Sequence, residues 1–520
     1  MNSLKRSPLS AAGFNLVSLP LVFRAGLALA AAAAVWPGRA LRAASIEEYI
    51  AQAPFPMPSV PVPVFANRTF AITDYGAVGD GQTLNTAAFA KAIDACAAAG
   101  GGHVVVPPGL WLTGPIALKS RVDLHAERGA LVQFTSDHAA YPMATREGRG
   151  FVTTSPITGV GLKNIGLTGE GVYDGAGETW RPVKKEKTTE AQWKAFLAKG
   201  GATSGEGSIW WPTKEAMDGE DTIAELARKT EHPTAEQVLP TRDFRRPHLV
   251  YLADCENVLL EGVTLRNSPM YVFCPNRCVN LTVRFVTIFN EWWAQNGDGM
   301  DIGSCENVVI YRCNVNAGDD GICMKSSAPN PLGGKAGLEN VIVAECTVYH
   351  AHGGFVIGSN TDAGMHNLWA THCDYVGTDV GIRVKSGLGR GGLVHDVFID
   401  HIFMKDIANQ AILFDTFYEN APASAATDRA KPVKNASKVP EFTGFHISEL
   451  YCHGAGEAIA ITGLPQQAVH GITIANAVIE AKKGMHATDA ADITLTHVRI
   501  LTPETPVVTQ KRTTGIRFID

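Results

Sequence analysis

Residues 304–315 read SCENVVIYRCNV: a polar turn centred on Asn307, an apolar run, then a second short strand-like piece after Arg312. The phrase recurs as CENVLLEGVTL (255–265), RCVNLTVRFVTI (277–288), GLENVIVAECTV (337–348), MHNLWATHCDYV (365–376) and VHDVFIDHIFM (394–404). Superposing the turn aligns Asn257, Asn280, Asn307, Asn340, Asn367 and Asp396, at intervals of 23, 27, 33, 27 and 29 residues. Short β-branched and aromatic runs separated by turn residues read as strands. Repeats of this length with uneven spacing predict a solenoid whose coils carry loops of different sizes. The fold class is therefore all-β: a parallel β-helix, each coil pairing with those above and below and stacking a turn asparagine. Cys255, Cys278 and Cys305 fall two positions before the aligned asparagine. Cys313, Cys346 and Cys373 fall six after it, level with Val263 and Val286. Cysteines that share columns with valines read as small core residues rather than a disulfide framework.

The rest of the chain fits one such domain. In 520 residues, 45% are hydrophobic and 18% charged, an ordinary globular profile, and the net charge of −6 argues against nucleic acid as the main partner. Residues 1–44 read as an export signal: Lys5 and Arg6, the apolar Gly26–Trp36, then small residues near Ala43 and Ala44. That apolar run is too short to span a bilayer, so no membrane anchor is expected after cleavage, and the destination is periplasmic or secreted. Residues 45–68 read as an extended linker and 69–520 as the β-helix. Thr86–Ala99, alanine-rich at helical spacing and stopped by Gly100–Gly102, is a helix suited to capping the open end of the sheet. Residues 176–245 interrupt the repeat with helical, charged and aromatic sequence, a loop insertion in which Lys184, Lys185 and Lys187 read as a solvated face.

Four polar clusters fall about one coil apart: QNGDGMD (295–301), AGDDGICMKS (317–326), HAHGGFVIGS (350–359) and GIRVKSG (381–387). Parallel strands lie about 4.8 Å apart, so stacking gathers these clusters on one face. Glycines flanking Asp319 and Asp320 let the backbone break the strand alternation, turning both acids outward beside Asp298. Three carboxylates so close cannot all ionise easily, so one pKa is raised. A protonated acid beside an ionised one is the pair that glycoside hydrolysis uses. Arg383 and Lys385, two apart on one strand face, suit a sugar carboxylate.

In their order and spacing these clusters resemble family 28 of the glycoside hydrolases, the polygalacturonase family. The likeness runs from about residue 69 to the end and includes DYGAVGDGQTLNTAAF (74–89). It implies a single-stranded right-handed parallel β-helix and an inverting enzyme that cleaves α-1,4-galacturonosyl linkages in pectic polysaccharide or oligogalacturonide, without cofactor or metal. Carried across, Asp319 is the general acid. Asp298 and Asp320 position and deprotonate water, and Asn296 orients its neighbours or substrate. His352 belongs to the histidine motif, Arg383 and Lys385 hold the substrate carboxylate, and Tyr418, in FYEN, touches substrate. NGD stands for the commoner NTD, RVK for RIK, and HGG for GHG. The last places Gly353 at the usual histidine position unless a one-residue bulge restores His352; His350 is the other candidate. The long insertion and the NSPMYVF phrasing are closer to bacterial exo-acting members. Alternatives are a rhamnogalacturonan hydrolase, a pectate lyase with Ca²⁺ on Asp298, Asp301, Asp319 and Asp320, and a non-catalytic sugar-binding solenoid. Of Trp292 and Trp293, one is core and the other is placed to stack on a sugar. The sequence is silent on oligomeric state.

Overall fold

A computed structural model describes residues 44–146, 150–334, 337–418 and 437–520. The export signal read at 1–44 lies, except for Ala44, outside them. The main sheet contains 31 strands wound as a right-handed parallel β-helix, and its strand pairings are parallel throughout. A central coil has three strands, Met300–Gly303, Glu306–Tyr311 and Asn314–Asn316, each paired with its counterparts one coil before and one coil after. Val258, Leu281, Val308, Val341, Leu368 and Val397 form one inward column, all buried. Inward columns of this kind build one core running the length of the rod.

The asparagine stack explains why the corner recurs. Asn257, Asn280, Asn307, Asn340 and Asn367 all have φ between 56° and 59°, the left-handed region that asparagine tolerates better than most residues. Each Nδ2 donates to Oδ1 of the asparagine one coil earlier, at 2.9–3.2 Å, so every corner satisfies the next. The ladder starts one coil before the aligned phrases, at Asn164. Asp396 keeps the left-handed φ of 52°, but a carboxylate has no N–H to give Asn367; it takes His395 Nδ1 at 2.7 Å instead. All ten cysteines are described and all are free thiols, and the aligned ones are buried with the valines.

Helix α1 (Ile46–Gln52) replaces the first part of the stretch expected as extended linker. Ser45 and Glu48 form a capping box, and Tyr49 lies against Trp369 and Tyr311 while its hydroxyl donates to Glu345 at 2.9 Å. The docked aromatic ring stabilises a segment too short to be helical alone. Helix α2 (Thr86–Ala98) covers the first coil with Phe89, Ala92, Ile93 and Cys96, all buried. Between Asp174 and Val250 the chain leaves the rod and forms α3 (Glu190–Ala198), α4 (Lys214–Lys229) and α5 (Ala235–Val238). It also forms a three-stranded sheet, antiparallel throughout, that the helical reading did not anticipate. Val183, Trp193, Phe196 and Trp210 make a separate small core there, and Trp293 of the rod packs onto it. Trp293 is thus the core member of its pair.

Asn307→Ala removes two ladder bonds, worth about 1 kcal/mol each, and puts at a left-handed φ a residue without asparagine's tolerance for it, at about 1 kcal/mol more. Asn307→Gly loses the bonds without the strain. Urea midpoints are expected in the order wild type, Gly variant, Ala variant; equal midpoints for the two variants would mean the backbone conformation costs nothing.

Candidate active site

The four polar clusters share one corner because the register carries them there. Met300 pairs with Ile322, Ile322 with Phe355 and Phe355 with Ile382. Just before each stands a glycine whose added Cβ would strike a core side chain. The distances are 2.5 Å from Gly299 to Val315 and from Gly321 to Val348, and 2.4 Å from Gly354 to Tyr375 and from Gly381 to Met404. Two consecutive inward positions break the alternation, so Asp298 faces out although Asp301, three residues on, does too. The break uses the missing Cβ and not a left-handed φ, since none of these glycines has one.

The corner brings Asp298, Asp319 and Asp320 together, one carboxylate oxygen from each within 4.8 Å of the others. Their environments differ. Asp320 is 2% exposed; Arg383 Nη1 donates to its Oδ1 at 2.9 Å and Lys385 Nζ to its Oδ2 at 2.7 Å. Burial alone would raise its pKa, but Lys385 and Arg383 outweigh burial and hold it well below the carboxylate range. Asp298 is 3% exposed, and its single described bond is a 3.2 Å contact with Lys325 Nζ, which also donates to Asp301 at 2.7 Å. Oδ1 of Asp298 is buried without a hydrogen-bond partner. Burial, with the Asp301 charge beside it, pushes the Asp298 carboxyl well up, and Lys325 only partly opposes this. Asp319 is more open. Burial raises its pKa, but His352 Nδ1, 2.9 Å from Oδ1, brings it net below the usual range.

Burial leaves Asp298 and its neighbour Asp301 raised, and not the Asp319 to which the resemblance assigns the proton. Arg383 and Lys385 both bind Asp320, a partner that the sequence reading did not give them. Gly353 permits this, because a Cβ there would lie 3.1 Å from the Arg383 Cβ. Tyr418 faces the same cations, its ring centre 4.9 Å from Lys385 Nζ, 5.7 Å from Arg383 and 5.6 Å from Arg390. Asn296 accepts from Arg246 Nη2 at 2.9 Å. His352 reaches Asp319 without the bulge: Asp320 pairs with Gly353 and Ile322 with Phe355 at one constant offset, and His352 N–H donates to the Asp319 carbonyl at 2.8 Å. His350 lies instead toward Trp292, its ring 6.5 Å away.

Three further residues enter the site in roles the sequence reading did not give them. Lys325 and Asp301 lie on the outward side of the strands that carry the acids, a placement readable only once the glycine break is known. Lys187, read as part of a solvated face, is half-buried: its Nζ donates to the Gly318 carbonyl at 3.1 Å and meets His352 Nε2 at 2.9 Å. Trp292, 36% exposed, lies 5.3 Å from the Lys187 ammonium and remains open to a ligand. A cavity of about 610 Å³ adjoins Asp301 and Lys325, walled by Tyr271, His248 and Arg146, the last 3.5 Å above the Tyr251 ring.

Comparison with known proteins gives a consistent set of relatives. Residues 189–444 match the model of glycosyl hydrolases family 28, and residues 69–179 match that of rhamnogalacturonase A/epimerase, pectate lyase-like proteins. An exo-poly-α-D-galacturonosidase of Dickeya chrysanthemi is 28% identical over 407 residues, covering 76% of this chain but only 64% of that enzyme. An endo-polygalacturonase of Pectobacterium parmentieri is 26% identical, covering 61% of this chain and 68% of that one. The crystal structure of a Thermotoga maritima exopolygalacturonase superposes with a TM-score of 0.69 at 26% identity, covering 85% of this chain and 94% of that one.

Lys385→Met leaves the buried Asp320 with one cation in place of two. Removing one partner of a buried ion pair costs about 3–5 kcal/mol. A loss of stability in that range is expected in chemical denaturation at neutral pH, and a change under 1 kcal/mol would show that the pair is not desolvated.

Proposed function

The chain belongs to family 28 of the glycosyl hydrolases, and on that premise we propose that it hydrolyses α-1,4-galacturonosyl linkages of pectic galacturonan from a chain end, with inversion. The observation that carries the proposal is the division of labour among three acids within 4.8 Å: one clamped by two cations, one buried with an unpartnered oxygen, one partly exposed beside a histidine. Oxygens so spaced can share a single water at about 2.8 Å from each of two of them. This spacing is shorter than the 6.5–9.5 Å or so between carboxyls of most inverting enzymes, so the water is held at the oxygens and not in a wide gap.

The acids act as a coupled set. In the free chain Asp298, whose carboxyl is pushed well up by burial, is the group assigned the proton. Its passage to Asp319 through one bridging water does two things at once: it gives Asp319 the proton it delivers to the leaving oxygen, and it frees Asp298 to deprotonate the attacking water that Asp320 helps to position. Asp320 serves as a fixed negative charge for the oxocarbenium-like transition state. Trp292 and Tyr418 offer ring faces to sugars, and Arg390 and the outer edge of Arg383 offer positive charge to a uronate carboxylate. The insertion, packed on the rod through Trp293, brings Lys187 against His352 and so bounds the site on that side, which supports attack at a chain end. A calcium-dependent lyase is disfavoured because Lys325, Arg383 and Lys385 already supply the positive charge at Asp298, Asp301 and Asp320. Residues 1–44 are proposed to direct export. The mature protein is then expected to begin near Ala44 or Ser45 by N-terminal sequencing, and an intact N-terminus on protein recovered outside the cytoplasm would refute this.

Asp319→Asn is expected to lower release of reducing ends from oligogalacturonide by at least about a hundredfold while binding persists. With the wild type, the first product should be monogalacturonate in the β-anomeric form by proton NMR. Unsaturated product absorbing in the ultraviolet, abolished by chelator, would establish the lyase instead. Because Asp298 has a raised pKa, activity should fall on the alkaline side as its proton is lost. Lys325 opposes that rise, so Lys325→Met should move the alkaline limb of kcat/KM to higher pH, and a shift to lower pH would contradict the assignment.

A further inference from the structure

We propose that Lys187, delivered by the insertion, is a positioning residue that fixes the tautomer of His352, so that the imidazole presents an N–H to Asp319. This rests on the hydrolase reading above for its consequence in catalysis, but not for the tautomer itself. An ammonium group is only a donor. At 2.9 Å from His352 Nε2, the Lys187 amine gives that nitrogen a hydrogen bond and takes its lone pair. The neutral ring then carries its hydrogen on Nδ1, which donates to Asp319 Oδ1 at 2.9 Å. Without Lys187 the ring is free to take the other tautomer, whose bare Nδ1 would face a carboxylate, or to become a cation beside it.

The lysine is held in place from several sides. It ends a single 3-10 turn, Lys185–Lys187. The turn is tied to the small sheet by Val183 pairing with Trp210 and by Lys185 N–H donating to the Ser208 carbonyl at 2.8 Å. Its second hydrogen bond, to the Gly318 carbonyl, anchors the turn that carries Asp319. The charged and titratable groups facing this corner are Asp319 at Nδ1, Asp379 at 3.7 Å from Nε2, and His350 across Trp292. Lys184 and Glu186 act on Lys187 from its own turn, and Asp320 with Lys385 acts on Asp319 from behind. Lys187 is the group among these that donates to Nε2, so the tautomer depends on it.

The test is nitrogen-15 NMR of histidine-labelled full-length protein, with His352 assigned by its loss in His352→Gln, alongside kinetics. In the wild type, His352 is expected as the neutral Nδ1–H form at neutral pH. In Lys187→Met, which keeps the stem, the signal should move to a tautomer mixture or to the imidazolium, kcat should fall roughly tenfold or more, and the pH profile should change shape. KM should stay within about twofold, and Lys187→Arg should restore the tautomer. An unchanged His352 signal in a Lys187→Met protein that melts like the wild type would overturn the inference, as would a rise in KM with kcat untouched, which would make Lys187 a substrate-binding group. If the tautomer shifts but neither protein hydrolyses pectic oligomers, the hydrogen-bond assignment stands and the hydrolase reading falls.

Discussion

Everything at this site follows from the distance between parallel strands. Backbone hydrogen bonds between coils hold residues 22 to 33 positions apart in sequence at about 4.8 Å. No side-chain interaction is strong enough to gather four acids in so small a volume; their mutual repulsion and desolvation oppose it. The sheet imposes the arrangement, and the cations then make it tolerable. Continuous pairing along the rod, with apolar columns beneath, supplies the stability against which that concentration of charge is set.

Much of this was legible in the chain because a solenoid writes its period openly. The asparagine column, the valine and cysteine columns and the one-coil spacing of Asp298, Asp319, His352 and Arg383 could be read by alignment of the chain with itself. The glycine pairs beside the acids also signalled a local break. What they did not reveal was its mechanism, since a core clash at Gly321 and a left-handed turn look the same as a letter in sequence. Charges were hardest to place. Arg383 and Lys385 read naturally as ligands for a substrate carboxylate, yet a closer carboxylate, Asp320, was available in the protein itself.

Lys187 shows where reading by period stops. It lies in a stretch with no repeat, within a run of lysines that on composition alone suits a solvated face. Its partner Gly318 is 131 residues away, and contact between them depends on how a separate small core, Trp193, Phe196 and Trp210, seats itself against Trp293. Such a contact has no periodic signature. Helix α1 is a parallel case: its capping box is visible in Ser45 and Glu48, but the reason it stays folded is the docking of Tyr49 on distant coils.

The charge balance of the site links its structure to its chemistry. Asp320 is matched by Lys385 and Arg383 and Asp319 by the N–H of His352, while Asp298 and Asp301 share Lys325 and each keeps a buried Oδ1 without a partner. If Asp298 were also ionised, a uronate brought in on the proposed reading would meet a buried anion that only shares Lys325 with Asp301, and at separations near 5 Å in a site of reduced dielectric that repulsion is substantial. On the proposed hydrolase reading, a proton kept on the buried Asp298 lowers the repulsion that an anionic sugar meets at this acidic corner. Once bound, the sugar's own carboxylate makes the loss of that proton to solvent still harder. Transfer within the set, toward the more exposed Asp319 and the leaving oxygen, then becomes the easier route. The same burial that makes Asp298 costly to fold thus directs where its proton goes.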